Sequence, residues 1–314
     1  MAMSSEIKKS LVVGYGSIGQ RHEAVLRGMG AETAVVSRHA TDLSCPVFPS
    51  VQEALNIFQP QYIVVANRTS EHLETLDQIE GSGFQGTCLV EKPLAERPVS
   101  KVRKYGFLVH VGYVMRFHPL IQQATGILKG KRILSMHAYV GQYLPDWRPD
   151  TDYRQCYSAH KAQGGGALRD LSHELDYILL LAGAWQRVAA LGGHFSELEI
   201  DSDDVYGLLM QTEHCPVVQC QMNYLDHNVR RDCTIQYEGG TLHLDFIGNQ
   251  LIHNGTTEKF ELERNEIFEA MHGVAWSSHP QGLCSFEEAI QTLQLIEASE
   301  ESSREGRWIC RKNR

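Results

Sequence analysis

The densest grouping of ionisable residues beside glycines is Gly164-Gly165-Gly166-Ala167-Leu168-Arg169-Asp170-Leu171-Ser172-His173-Glu174-Leu175-Asp176. With a helix from Ala167 to Ala182, Asp170, His173 and Asp176 are spaced by three and fall on neighbouring turns of one side. A histidine titrates near neutrality and can accept a hydroxyl proton as hydride leaves the same carbon. Asp170 could contact a hydroxyl or orient that base, and Asp176 could fix the imidazole tautomer. A salt-bridged surface face is the plainer reading of such spacing. Three glycines directly before it, which let a backbone approach a ligand, favour function. A metal is not expected, because no third ligand lies at a zinc-like spacing. The second candidate is Lys92 in Glu91-Lys92-Pro93, which follows the apolar run Cys88–Val90. Pro93 biases Lys92 towards extended backbone, and a lysine whose pKa is lowered by desolvation can take up a hydroxyl proton. The third is Gly14-Tyr15-Gly16-Ser17-Ile18-Gly19. Gly14 would allow a tight turn, Gly16 a close pyrophosphate, and Gly19 close packing of a helix whose N–H groups face the anion.

These residues need elements to hold them. Short apolar runs at Leu11–Val13, Ala34–Val36, Tyr62–Ala66, Cys88–Val90 and Phe107–Val111 read as strands. Between them Gln20–Met29, Val51–Phe58, Glu71–Ile79 and Val99–Tyr105 suit helices. Strands without polar alternation are buried on both faces, as in a parallel sheet wound with helices. From about Phe117 the pattern changes. A helix Pro119–Leu128 and a long strand Ile133–Tyr143 precede the glycine run. Val188–His194, Val205–Thr212, Val217–Tyr224, Arg231–Tyr237 and Thr241–Phe246 then read as an antiparallel sheet, with Glu238-Gly239-Gly240 as a hairpin turn. A last helix starts at Ser285, which forms a capping box with Glu288, and ends at Gly306. The expected class is α/β, with a parallel-sheet domain over 1–117 and an α+β domain with an open, mostly antiparallel sheet over 118–314.

The 314 residues suit two domains at about 150 each. Lys plus Arg is 29 against 38 Asp plus Glu, a net charge of −9, which argues against a nucleic-acid partner. No apolar run approaches the roughly 18 residues that span a bilayer, so no membrane partner is expected. The start, Met1 to Ser10, is polar and lacks the apolar stretch and cleavage site of a secretory signal. None of the eight cysteines forms a C-x-x-C pair, which fits a reducing cytoplasm. At the end of the second strand, where an acidic residue usually binds the adenosine ribose, the chain reads Ser37-Arg38-His39. Ser37 and Arg38 suit a 2′-phosphate and favour NADP without excluding NAD.

Four marks together resemble the Gfo/Idh/MocA family of NAD(P)-dependent sugar and cyclitol oxidoreductases. They are the glycine loop, Glu91-Lys92-Pro93, Gly112-Tyr113-Val114-Met115-Arg116-Phe117-His118-Pro119, and the glycine run with Asp170, His173 and Asp176. The resemblance implies a Rossmann domain, a sheet that forms homodimer or homotetramer contacts, and Lys92 and His173 beside the carbon being oxidised. The family's common form places the histidine four residues after the aspartate. Here His173 is three after Asp170, and Asp176 follows at the usual distance. The segment between Pro93 and Gly112 is short for the family. Expected dinucleotide contacts are Gly14, Tyr15, Gly16, Ser17, Ile18, Gly19, Ser37, Arg38, His39, Asn67, Arg68, Thr69, His72, Glu91 and Lys92. Gly141-Gln142-Tyr143-Leu144-Pro145-Asp146-Trp147-Arg148-Pro149 with Asp152-Tyr153-Arg154 is similar to a subgroup of bacterial surface-glycan pathways that handle nucleotide-linked amino sugars. Trp147 and Tyr153 could stack on a sugar or base, and Arg148, Arg154 or Lys161 could meet a diphosphate. A structured loop with buried aromatics is the alternative. Tyr113, Arg116 and Asp176 complete the expected substrate contacts. The expected reaction is oxidation of a secondary hydroxyl, C3 for preference, of a sugar such as UDP-N-acetylglucosamine. A free-sugar or inositol dehydrogenase or reductase, or a non-catalytic dinucleotide sensor, are the alternatives.

Overall fold

The computed structural model describes residues 8–40, 43–96, 99, 103–277 and 280–312. The chain opens with β1 (Lys9–Val13), α1 (Ser17–Gly28), β2 (Glu32–Val36), β3 (Val47–Phe48), α2 (Val51–Phe58), β4 (Tyr62–Val65), α3 (His72–Gly81), β5 (Thr87–Val90) and β6 (Leu108–Val111). It continues through α4 (Pro119–Leu128), β7 (Ile133–Gly141), α5 (Ala167–Asp170), α6 (His173–Ala182), β8 (Trp185–Gly193), β9 (Val205–Thr212) and β10 (Val218–Asn223). It closes with β11 (Arg230–Tyr237), β12 (Gly240–Asp245), β13 (Gln250–His253), β14 (Thr256–Lys259), α7 (Glu266–Ala275), β15 (Cys284–Ser285), α8 (Phe286–Glu305) and β16 (Ile309–Cys310). Two compact units result. The first runs to Phe117 and takes back Glu263–Ala289, and the second holds His118–Leu262 and the chain from Ile290 onward.

The first unit is built on a seven-stranded sheet in the order β15-β6-β5-β4-β1-β2-β3, parallel except for β15. Its central strands lack polar alternation because both faces are covered. Val12, Val35, Val64 and Leu89 pack with Leu26 of α1 and with Phe268 and Met271 of α7. The alternate residues Leu11, Ala34, Ile63 and Cys88 are equally buried on the opposite face. The helix read at Val99–Tyr105 lies partly outside the described residues, and Arg103 to Tyr105 are not helical. Residues Glu266–Ala275, which fell in the second domain of the sequence reading, form a helix of this first unit.

The second unit carries a nine-stranded sheet, β14-β13-β12-β11-β7-β10-β9-β8-β16, antiparallel throughout except where β7 meets β10. Polar alternation is visible here, since one face is buried under helices such as α6 while the other is open. His118 caps α4 by accepting the Leu120 N–H at 3.2 Å, with Pro119 at the first helical position. Ser285 and Glu288 form the reciprocal capping box of α8, at 2.8 and 3.2 Å. At its far end Gly306, with φ of +63°, donates to the Ser302 carbonyl.

One expected element is divided. The helix read as continuous over Ala167–Ala182 is two, with Leu171 and Ser172 between α5 and α6. His173 therefore opens the first turn of α6 and Asp170 closes α5, so the two are not successive turns of one helix.

Candidate functional site

In the first unit the loops leaving β1, β4 and β5 meet at the carboxyl edge of the sheet, where open parallel sheets bind ligands. Gly14 follows β1 at φ of +95°, and a Cβ there would lie 2.6 Å from the Asn67 backbone. Gly19 is tighter still, with a Cβ position 2.1 Å from the Gly14 carbonyl oxygen. Gly16 differs. It caps α1 in an extended conformation, and beyond its two chain neighbours no atom of the described residues lies within 4 Å of its Cβ position. Among the described residues no side chain caps this helix, so its first N–H groups face an anion at the open side of Gly16. The site therefore fits a dinucleotide pyrophosphate on geometry as well as on motif.

Asn67 follows β4 and donates to Thr75 Oγ1 at 2.9 Å and to Glu71 at 3.3 Å. His72, buried at the start of α3, contacts the carbonyls of Pro93 at 3.1 Å and Asn67 at 3.3 Å, which ties the loops after β4 and β5 together. Burial pushes its imidazole below the usual range, against the Glu91 charge. Arg68 and Thr69 lie between, with Thr69 opening a short 3-10 turn. Ser37 Oγ accepts the His39 and Ala40 N–H groups at 3.2 and 3.1 Å, which fixes the turn after β2. Arg38 is largely exposed there, 4.0 Å from Glu71. The structure thus gathers the expected dinucleotide residues at one edge.

Lys92 follows β5 through Glu91 and is half-buried, with a cis peptide to Pro93. Its N–H donates to Glu91 Oε2 at 3.1 Å. Glu91 Oε1 accepts from His22 Nε2 at 2.8 Å. Burial would raise the Glu91 carboxyl, but the hydrogen bond from His22, the Lys92 charge and the Lys92 N–H together hold it below the usual carboxylate range. Tyr113 and Arg116, expected at the substrate, are both buried in this unit. The Arg116 guanidinium donates to Glu288 at 3.0 Å and to the Leu283 carbonyl at 3.4 Å.

In the second unit the glycine run turns sharply before α5. Gly166 has φ of +121°, and a Cβ there would sit 2.3 Å from Asp203 Oδ1. Asp203 also accepts the Leu168 N–H at 2.9 Å, while its own carbonyl accepts the Ala167 N–H at 2.9 Å. Asp170 is buried and its Oδ2 accepts the Tyr224 hydroxyl at 2.7 Å. Burial and the Asp170 charge push the Tyr224 phenol well up. His173, three residues after Asp170, is half-buried, and Asp176 is fully buried. Arg231 Nε and Nη2 hold Glu174 at 2.6 and 3.1 Å. Sequence reasoning missed Tyr224 and Asp203, because a lone tyrosine after a strand and an aspartate in a loop carry no motif.

The loop after β7 forms a pocket lined by Leu144, Trp147, Arg148, Thr151, Tyr153 and Tyr157. The Trp147 indole donates to the Gln142 carbonyl at 3.2 Å and meets Tyr224 edge-on at 5.1 Å. The Tyr153 hydroxyl accepts the Glu199 N–H at 3.2 Å. Arg154 is bound to Asp152 at 2.9 Å and to Glu199 at 2.9 Å, whereas Arg148 and Lys161 are exposed.

Burial raises the Asp203 carboxyl from 3.8 to about 6. The folded chain therefore holds this proton more tightly than the unfolded one, and the carboxylate costs stability once pH rises through 4 to 6. Asp203→Asn keeps an oxygen for Leu168 and removes the charge. We expect it to stabilise the protein by about 1–2 kcal/mol at pH 8, with the gain vanishing by about pH 4. Urea unfolding at pH 4, 6 and 8 measures this, and destabilisation at pH 8 would contradict it.

Comparison with known proteins agrees with this anatomy. Residues 121–243 match the family model described as the GFO/IDH/MocA C-terminal domain. A search of curated proteins finds no match. Among solved structures, an NAD binding oxidoreductase from Klebsiella pneumoniae superposes with a TM-score of 0.82 at 17% identity, over 97% of this chain and 99% of its own. The WlbA dehydrogenase from Bordetella pertussis, in complex with NADH and UDP-GlcNAcA, gives 0.79 at 19% identity, over 98% and 100%. Levoglucosan dehydrogenase, in complex with NADH and levoglucosan, gives 0.81 at 16%, over 97% and 99%. At these identities the likeness shows a shared fold.

Proposed function

Since the chain carries a Gfo/Idh/MocA C-terminal domain after a parallel-sheet domain with a dinucleotide loop, we propose that it is an NAD(P)-dependent sugar dehydrogenase. The observation that carries this reading is the open face of Gly16 at the uncapped start of α1, on the same sheet edge as Lys92. A nicotinamide dinucleotide held there would supply the hydride acceptor for oxidation of the substrate carbon. Gly14 and Gly19 shape the loop, the first N–H groups of α1 would hold the pyrophosphate, and Arg38, exposed beside Glu71, is the cation that would meet a 2′-phosphate. Lys92 and His173 handle the hydroxyl proton, and Asp170, fixed by Tyr224, orients the sugar or the histidine.

The substrate is a nucleotide-linked sugar, and C3 is the carbon oxidised. The support is the pocket of Trp147, Arg148 and Tyr153, the exposed charge of Arg148, and the UDP-sugar complex of the WlbA structure. The protein acts in the cytoplasm. Among the described residues no helix is long and apolar enough to cross a membrane. It associates as a homodimer or homotetramer through the open sheet face, where Ala189, Leu191 and Leu209 lie together.

Absorbance at the reduced-nicotinamide band tests the proposal, with NAD⁺ and NADP⁺ against UDP-linked sugars, free sugars and cyclitols. We expect turnover with at least one UDP-sugar and at least tenfold lower kcat/KM for its free counterpart. Turnover of free sugars or inositol alone would overturn the nucleotide assignment. Saturable dinucleotide binding without turnover of any member would overturn the enzyme reading in favour of a sensor.

A further inference from the structure

Glu91 is one end of a buried hydrogen-bonded line that runs down one face of the first unit's sheet. Glu91 Oε1 meets His22 Nε2 at 2.8 Å, His22 Nδ1 meets His272 Nε2 at 2.9 Å, and His272 Nδ1 meets the Tyr62 hydroxyl at 2.9 Å. The four residues come from the loop after β5, from α1, from α7 and from the first position of β4. Tyr62 pairs with Thr87, while Val65 pairs with Val90 just before Glu91, so the line spans the whole length of these strands. That is on the order of 10–13 Å. His22, His272 and Tyr62 are each at most 1% exposed.

The chemistry at the two ends fixes every proton between them. A carboxylate can only accept, so His22 donates from Nε2. Burial pushes the Tyr62 phenol well above its usual range, so it keeps its proton. Burial pushes the His272 imidazole well below its usual range, so that ring carries one N–H. Two arrangements remain. With both rings neutral, Tyr62 donates to His272 Nδ1, His272 donates from Nε2 to His22 Nδ1, and His22 donates from Nε2 to Glu91. With His22 as an imidazolium, His272 must donate to Tyr62, and no hydrogen bond among the described residues then takes the buried Tyr62 proton. An unsatisfied buried donor costs about 1–3 kcal/mol, so the neutral line is the stable one.

We propose that Tyr62 and His272 are positioning residues for the reaction, acting through His22 to lock the Glu91 carboxylate against Lys92. This rests on the dehydrogenase reading for its kinetic part. The line leaves Glu91 one oxygen for His22 and the other for the Lys92 N–H. Its orientation and its charge are thereby set from the opposite end of the sheet. The other ionisable groups that face it are Arg21 of α1, Lys92 and His72 around Glu91, and Cys88 of β5 beside Tyr62.

The test has a ligand-free arm and a kinetic arm. In protein labelled with ¹⁵N-histidine, long-range ¹⁵N–¹H spectra at pH 7 should show His22 and His272 as neutral Nε2–H tautomers. Tyr62→Phe, which removes only a hydroxyl, should displace His272 from that tautomer. An imidazolium or an Nδ1–H tautomer at either ring in the wild type overturns the proposal, whatever the enzyme's substrate. With a substrate from the panel, Tyr62→Phe and His272→Leu should lower kcat about 5–20-fold, leave the sugar KM within twofold, and move the midpoint of the kcat–pH profile by at least half a unit. His272→Gln, which offers one donor and one acceptor in line, should restore most of kcat. A merely structural role predicts a lower Tm with an unmoved pH profile and no rescue by glutamine, and that result overturns the proposal. If His272→Leu does not fold, Tyr62→Phe and His272→Gln decide between the same outcomes. Absence of any turnover in the wild type would count against the dehydrogenase reading and leave the tautomer result standing.

Discussion

Lys92→Ala is expected to lower kcat on the true substrate by about 10²–10⁴-fold, the usual contribution of a positioned proton acceptor. The reasoning is positional. Lys92 follows β5 at the carboxyl edge of the sheet, its N–H is fixed by Glu91, and that edge is where the glycine loop presents its open face. Dinucleotide affinity should change far less, by about threefold, because the helix N-terminus and the glycine loop remain. Lys92→Arg should not rescue, since a guanidinium does not give up its proton at any working pH. His173→Ala should fall in the same range. Single-turnover formation of reduced nicotinamide at saturating dinucleotide measures these losses. Near-wild-type turnover in both single variants would remove the two residues from the mechanism.

The second large effect separates two glycines of one motif. Gly16→Ala should fold normally, with Tm within about 2 °C of the wild type, because beyond its chain neighbours no atom of the described residues lies within 4 Å of the added Cβ and the backbone there is extended. It should still weaken dinucleotide binding by at least tenfold, since the methyl group occupies the space that a pyrophosphate needs. Gly19→Ala should do the reverse damage. Its Cβ falls 2.1 Å from the Gly14 carbonyl oxygen, a backbone atom that cannot yield. A loss of about 3 kcal/mol, the upper part of the range for overpacking, is expected before any ligand is added. Thermal melts alongside fluorescence titration with NADH resolve the two. A stable Gly16→Ala variant with unchanged affinity would remove the loop from the cofactor site.

Much of this was legible in the chain because the relevant physics is local. The runs Leu11–Val13, Tyr62–Ala66 and Cys88–Val90 are apolar without alternation, and each lies in a strand covered on both faces. Ser285 and Glu288 lie three apart, and they cap each other as that spacing demands. Where the reading diverged, the cause was distance along the chain. The pattern from Ala167 to Ala182 is helical throughout, but the contacts of Gly166 and Leu168 with Asp203, and of Asp170 with Tyr224, come from remote segments. The helix is divided where those contacts end. Arg154 looked like a cation available to a diphosphate, and nothing local announces that Glu199 neutralises it from 45 residues away. His272 carries no motif, and its meaning arises only when α7 is laid beside α1.

The return of Glu263–Ala289 to the first unit has a consequence for how the molecule comes into being. Phe268, Met271, Ala275 and Leu283 belong to the same core as Val12, Val64 and Leu89. On the ribosome, the whole sheet-bearing middle of the chain must be synthesised before these side chains exist. Residues up to Phe117 emerge with one face of their parallel sheet still waiting for α7. The amino-terminal unit is therefore first in sequence and among the last to be complete, and a fragment cut at Phe117 would expose that face to water.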